Sequence, residues 1–391
     1  MNEYRGPFEP LYFLEIFMKK ELTYVATCLL GVEGLVANEL KFMGAKEVTP
    51  ENGRVIFKGD YNILARANIC SRYAERIMIL LGTFYARTFE ELFNGVSKIK
   101  WSEYIDKDDN FPVKGTCLSS QLMSVPDCQK IIKKASAKSL SKAYGVEWLN
   151  DDGDLHQIQF LIFKDKVSIM LDTTGKGLYK RGYRENSNDA PIKETLAAVL
   201  AELSMVRANH TVIDPMCGSG TILIESALKA MKIAPGLNRE FSAENWKQIP
   251  SEVWEQEREK AKSEINTDCA FRGIGYDIDE ESLNIARENA EKAGVADRIT
   301  FEHRDIRNFV HDTERGTVIT NPPYGERLLD IDRARELYKI MGKKFVKKDG
   351  WSYTIISPDD EFEKIFGRKA DKRRKLYNGM LKCQAYMYFK R

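Results

Sequence analysis

Val212-Ile213-Asp214-Pro215-Met216-Cys217-Gly218-Ser219-Gly220-Thr221 reads as an apolar strand running into a glycine turn and then into a helix. Gly218 and Gly220 let backbone approach a ligand closely, and the first N–H groups of the helix stay free to donate. Downstream, strand candidates recur at 273–277, 299–302, 317–320 and Trp351–Ser357, with helical stretches such as 222–231 and 280–293 between them. That alternation predicts a parallel, doubly wound α/β sheet. The tail breaks the pattern. Residues 373–377 and 381–389, on either side of Asn378-Gly379, read as an antiparallel hairpin with a primed turn.

Upstream of residue 176 the text is different. Residues 23–28 alternate like a strand, 32–43 are helix-like and 54–57 form another short strand, which predicts a small α+β unit. A second module is expected over 75–175. Its strands are 77–81, 157–162 and Lys166–Asp172, the last two joined across Lys164-Asp165. Between them lies a helical stretch carrying Lys130, Lys133, Lys134, Lys138 and Lys142, with no acid between Asp127 and Glu147. Such a run is either the wet face of a helix or a surface for phosphates. Residues 1–17 are expected to be a disordered extension, with Met18 a more natural beginning. The units expected are therefore 18–74, 75–175 and 176–391.

Composition narrows the class. The chain has 391 residues, 43% hydrophobic and 30% charged, with 60 Lys+Arg against 58 Asp+Glu. A net charge of +2 leaves any nucleic-acid surface to local clustering. The 7 cysteines are scattered without a C-x-x-C pair, and there are 4 histidines. Reduced thiols, a cytoplasmic location and no metal are the expectation. No stretch reaches the roughly 18 apolar residues of a membrane span.

The glycine turn alone suits NAD, FAD, a nucleotide or S-adenosyl-L-methionine. Two departures argue against a dinucleotide. The spacing is not G-x-G-x-x-G, and the next acid at a strand end, Asp277, follows an insertion over 233–272 instead of lying about 20 residues on. Asp277 can accept both ribose hydroxyls, while Asp279 reads as a helix N-cap. Asp305 ends the next strand and is either an acceptor for an adenine amine or part of a surface turn. The strand over 317–320 then delivers Asn321-Pro322-Pro323-Tyr324. Two prolines make a stiff turn in any case. At a strand end the same corner can grip a planar exocyclic amine: the Asn321 side-chain oxygen and the Pro322 carbonyl take one N–H each, and Tyr324 stacks on the base. In an open α/β sheet ligands bind beyond the carboxyl ends of the strands, which is where all four motifs fall.

With these motifs assembled, the C-terminal half resembles the class I methyltransferases that use S-adenosyl-L-methionine, in the branch marked by Asn-Pro-Pro-Tyr. Arg181-Gly182-Tyr183-Arg184, the segment Ala190–Ala198, Ile233-Ala234-Pro235-Gly236 and Asn321–Leu328 narrow the resemblance to the THUMP-domain RNA methyltransferases. Among these it resembles the group that makes N2-methylguanosine in 23S ribosomal RNA. The resemblance implies a ferredoxin-like unit and an RNA-binding THUMP domain before the catalytic domain, with no obligate protein partner. It implies that Asp214, Pro215, Cys217, Gly218, Gly220, Thr221, Asp277, Ile278, Asp305 and Ile306 bind the cofactor. Lys193 and Glu194 are carried over as further cofactor-side residues, although an ordinary helix start explains Lys193 as well. The lysine run and Lys180, Arg181 and Arg184 of the basic link are the implied RNA contacts. A tRNA guanosine enzyme, a DNA adenine-N6 methyltransferase and a non-catalytic assembly factor are the alternatives.

Overall fold

The computed structural model describes residues 21–184, 192–324 and 328–389. The expected extension 1–17 and the start at Met18 lie outside them. Two seven-stranded sheets organise the chain.

The first sheet holds β1 (Leu22–Cys28), β2 (Lys46–Glu51), β3 (Arg54–Gly59), β4 (Ala74–Tyr85), β5 (Val113–Leu118), β6 (Ile158–Phe163) and β7 (Lys166–Asp172), in the order β2-β3-β1-β4-β7-β6-β5. The 12-residue β4 pairs with β1 along its first half and with β7 along most of its length, so the two expected N-terminal modules share one sheet. Helices α1 (Glu33–Phe42), α2 (Tyr61–Cys70), α3 (Phe89–Ser97) and α4 (Val125–Tyr144) complete this half. Ser124 caps α4 at its start and Gly145, in the left-handed conformation, ends it. The helix packs on α3 and on β5 and buries Cys128, Ile132, Ala135 and Leu140, which leaves the other face to lysines.

The second sheet holds β8 (Thr211–Asp214), β9 (Arg272–Asp277), β10 (Ile299–His303), β11 (Gly316–Thr320), β12 (Trp351–Ser357), β13 (Lys372–Asn378) and β14 (Leu381–Tyr388). Its order is β10-β9-β8-β11-β12-β14-β13. The first five strands are parallel, and the hairpin inserts β14 antiparallel beside β12. Helices α5 (Glu194–Leu203), α6 (Thr221–Ala230), α7 (Ser251–Ser263), α8 (Glu280–Lys292), α9 (Leu328–Lys344) and α10 (Phe362–Phe366) accompany it. Strand order reverses between β8 and β11, so a crevice opens where the loops after these strands part. The hairpin turn corrects the sequence reading by one residue. Asn378 pairs with Leu381, so the turn is Gly379-Met380. Only Gly379 needs positive φ (62°), as at the first position of a type II′ turn.

The two halves are bolted together by the insertion between β8 and β9. Within it, the Gly236 N–H donates to the Ile69 carbonyl at 2.8 Å and Ala243 N–H to the Thr173 carbonyl at 3.1 Å. Arg66 of α2 pairs with Glu257 of α7 at 2.5 Å. The Trp246 indole donates to the Leu155 carbonyl and its ring stacks on His156 at 4.3 Å. The insertion that displaces Asp277 along the sequence is thus a structural clamp. Among the described residues, no helix is long and apolar enough to cross a membrane.

Candidate active site

Loops at the carboxyl ends of β8, β9, β10 and β11 enclose a cavity of about 810 Å³. Asp214, Pro215, Cys217, Gly218 and Thr221 line it from the first loop, Asp277 and Ile278 from the second, Asp305 and Ile306 from the third. Asn321, Pro322, Pro323 and Tyr324 close it from the fourth. Residues distant in sequence meet here because parallel strands all deliver their ends to one edge of the sheet.

Local geometry explains each position. Gly220 has φ +78° at the start of α6, and a Cβ there would sit 3.1 Å from Ala286 and Phe301. Glycine therefore serves packing at this position, and Gly220 does not line the cavity. Asp277 accepts from the Gly218 N–H at 2.8 Å and from the Asp279 N–H at 3.1 Å, one per carboxylate oxygen. Each oxygen keeps lone-pair capacity for a ligand hydroxyl. Asp279 caps α8 through the Ser282 N–H at 3.1 Å. Asp305 accepts from Arg307 N–H at 2.7 Å and pairs with the Arg307 guanidinium at 2.8 Å, so it is both a turn cap and a member of the cavity wall.

Charge is held unusually here. Burial pushes the Asp214 carboxyl up to about 7, against the pull of the Thr320 hydroxyl and the Met216 N–H. Burial likewise raises the Cys217 thiol far above its ordinary range, so it stays a small apolar wall group. The Tyr324 hydroxyl donates to Asn321 Oδ1 and receives a long bond from the Asn378 amide at 3.5 Å. Burial keeps that phenol protonated. This fixes the Asn321 amide with its oxygen toward Tyr324, and it gives Tyr324 an orienting task that the sequence reading, with only a stacking ring, missed.

The structure moves Lys193 and Glu194 away from the cavity wall. Lys193 pairs with Glu75 of β4 at 3.3 Å and lies 4.7 Å from the Tyr179 ring, a contact between the two halves. Glu194 is buried against Arg184 at 3.0 Å, and burial lifts its carboxyl to about 7. Met216, Ser219, Ser282, Arg307 and Leu381 also line the cavity. Local motifs cannot reveal Leu381, because it arrives from the far hairpin.

A model of the RMKL-like methyltransferase domain matches residues 181–387, more than half of the chain. The chain belongs to that methyltransferase family. Models of the RlmL ferredoxin-like domain and the THUMP domain match 23–78 and 86–172. The methyltransferase is 41% identical to YpsC of Bacillus subtilis (strain 168), named a candidate RNA methyltransferase, over 95% of this chain and 96% of that one. It is 33% identical to the ribosomal RNA large subunit methyltransferase K/L of Shewanella amazonensis (strain ATCC BAA-1098 / SB2B), over 93% of this chain. The chain spans about half the length of that relative (52%). Among solved structures, SMU.472, a candidate methyltransferase complexed with S-adenosylhomocysteine, superposes with TM-score 0.90 at 40% identity, covering 96% of this chain and 99% of that one. A protein from Listeria monocytogenes str. 4b F2365 named for N6-adenine-specific DNA methylation superposes with TM-score 0.91 at 42% identity, covering 98% and 99%.

The basic residues of the methyltransferase divide into two groups. Lys130, Lys134, Lys138 and Lys142 recur every four residues along α4 and are exposed. Lys180 is exposed too. Lys133 departs from the expected RNA face: it is half-buried, its ammonium lies 3.3 Å from the Phe111 ring centre, and it donates to the Phe111 carbonyl. Arg181 is buried, donating to the Leu178 and Arg72 carbonyls and facing Glu225 at 3.5 Å. Arg184 donates to the Ile192 carbonyl and to Glu194. Both arginines fasten the link to the catalytic domain, so neither is free to meet RNA. Among the described residues, no group of three or more His, Cys, Asp or Glu could hold a metal ion.

Proposed function

We propose that this methyltransferase moves a methyl group from S-adenosyl-L-methionine to an exocyclic base amine in RNA, with N2 of a guanosine in 23S ribosomal RNA as the target. One observation carries this reading: the glycine turn with Asp277 and the Asn321-Pro322 corner face a single cavity. The cavity's donor set fits the cofactor. Asp277 has lone pairs left for two ribose hydroxyls. Ile278 and Ile306 offer apolar faces for an adenine ring, and Asp305 an acceptor for its amine. When bound, the cofactor supplies a methyl group on a sulfonium, already activated for transfer.

The protein's part is alignment and electrostatics. An exocyclic amine is a weak nucleophile because its lone pair is delocalised into the ring. Asn321 Oδ1, with one lone pair taken by Tyr324, accepts one N–H through the other, and the Pro322 carbonyl accepts the second. Holding both protons favours a tetrahedral nitrogen whose lone pair points into the cavity. A nitrogen–carbon bond forms as the sulfur–carbon bond breaks, and the surplus proton passes to solvent water. The target base must leave its stack to reach this depth. In this reading the protein works in the cytoplasm.

RNA is favoured over DNA by the THUMP domain and by the names of the relatives YpsC and methyltransferase K/L. The DNA adenine-N6 reading rests on the name of the Listeria neighbour. Tritiated-methyl transfer to DNA and to ribosomal RNA from a deletion strain separates the two. The expected result is label in ribosomal RNA alone, recovered as N2-methylguanosine on nucleoside mass spectrometry. Label in DNA alone, or none in RNA, overturns the proposal.

A further inference from the structure

The tip of the C-terminal hairpin is an odd place for an apolar side chain. Hairpin turns favour Gly, Asn, Asp and Ser, and the second turn position here has an ordinary backbone conformation that any polar residue could adopt. It carries Met380, which is 99% exposed, followed by Leu381, 44% exposed. A lone exposed methionine means little. The surroundings of this one give it meaning. Leu381 lines the same cavity as Asn321 and Pro322, and Met380 is its exposed neighbour in the chain.

The tip is also held in place. Asn378, the last residue of β13, donates to the Tyr324 hydroxyl at 3.5 Å, and Tyr324 donates in turn to Asn321. Lower on the same strand, the Arg374 guanidinium grips the Gly31 carbonyl of the ferredoxin-like unit at 2.5 and 3.1 Å. A side chain at Gly31 would meet the Lys375 carbonyl at 2.7 Å, so the two segments touch through backbone. The hairpin is thus braced from the catalytic corner and from the N-terminal half. Lys375 and Lys382 are exposed on its two strands near the tip, suited to flanking phosphates.

We propose that Met380, backed by Leu381, is a wedge that enters the RNA base stack and fills the gap left by the base drawn into the cavity. This rests on the function proposed above. A flipped base leaves its neighbours without a stacking partner, and proteins fill such gaps with apolar side chains. An unbranched thioether suits the role, because it adapts to an irregular slot and contacts aromatic faces favourably. The wedge acts on base extrusion, not on the reacting atoms, so Met380 is a positioning residue.

The test compares wild type, Met380→Ser and Met380→Leu in single-turnover methyl transfer to ribosomal RNA from a deletion strain. RNA affinity is measured by filter binding and S-adenosylhomocysteine affinity by calorimetry. Met380→Ser should slow transfer by about tenfold or more, the scale of an unstacking penalty, while both affinities change by less than about twofold. Met380→Leu should restore most of the rate. An unchanged rate, a loss mirrored in RNA affinity, or no rescue by leucine overturns the wedge while leaving the methyltransferase reading intact. Wild-type protein that leaves this RNA unlabelled overturns the parent reading, and the wedge with it.

Discussion

The Gly218 N–H donates to the Asp277 carboxylate across the ends of two neighbouring parallel strands, at 2.8 Å. One side chain therefore shapes the glycine turn and, in the function proposed above, presents the acceptors for a ribose. Asp277→Ala should weaken cofactor affinity by about 10- to 100-fold, the loss expected for hydrogen bonds to a charged group. Calorimetry with S-adenosylhomocysteine reads this directly. Unchanged affinity would move the ribose contact elsewhere.

The bond from Tyr324 to Asn321 makes a second prediction. Asn321→Ala should lower single-turnover transfer by about 10²–10³-fold, comparable to removing one preorganised group from a reaction centre, with cofactor affinity kept. Tyr324→Phe removes the orienting donor but keeps the ring. It should cost less than Asn321→Ala; an equal cost would mean that the phenol itself contacts substrate.

Asp214 links the cavity to pH. Its buried carboxyl lies at about 7, above the ordinary range, so in the free protein it holds a proton at mildly acidic pH. A cationic ligand favours the ionised form and lowers that value. Binding of S-adenosyl-L-methionine should then release protons near neutrality and tighten as pH rises from 6 to about 7.5. Calorimetry in buffers of different ionisation enthalpy measures the release, and Asp214→Asn should abolish it. For the ligand-free protein the consequence runs the other way. The raised carboxyl stabilises the fold fully below about pH 4, and this contribution is lost as pH rises through about 7.

The exposed row on α4 is testable apart from catalysis. Lys134→Glu with Lys138→Glu should weaken RNA binding and flatten the salt dependence by about one unit of slope per lost phosphate contact. Lys133→Glu behaves differently. It buries an acid against Phe111 and should lower unfolding stability by about 1–3 kcal/mol. Equal effects of all three changes on the salt slope would put Lys133 back on the RNA face.

Arg181 gives the opposite prediction from its sequence reading. It is buried, with its guanidinium facing Glu225, which is buried as well. Arg181→Ala should destabilise the protein by about 3–5 kcal/mol, as expected when one partner of a buried pair is removed. Urea unfolding measures the loss. Retained stability with weakened RNA binding would return Arg181 to the surface role.

The parallel sheet, the glycine turn, the acids at strand ends and the proline corner were legible in the chain because each is local chemistry. Alternating apolar runs state strands, Gly218 and Gly220 state a turn, and the order of strand ends along the chain matches their convergence on one edge. The hairpin was legible too, within one residue of its turn. What failed was taking charge as exposure at three positions, while Lys130, Lys134, Lys138, Lys142 and Lys180 are exposed as read. Arg181, Arg184 and Lys133 look like a basic surface in one dimension, yet three-dimensional packing supplies each with an acid, carbonyls or a ring.

Amino-acid order alone thus determined the α/β architecture of the C-terminal half and which four loops would line one cavity, since both follow from short-range periodicity and turn chemistry. Only tertiary structure decided that β4 joins two N-terminal modules into one sheet, that the insertion before β9 clamps the halves, and that Leu381 reaches the cavity. Those facts depend on contacts between residues up to hundreds of positions apart. Such contacts are chosen by packing and by the pairing of buried polar groups, for which sequence spacing carries no signal.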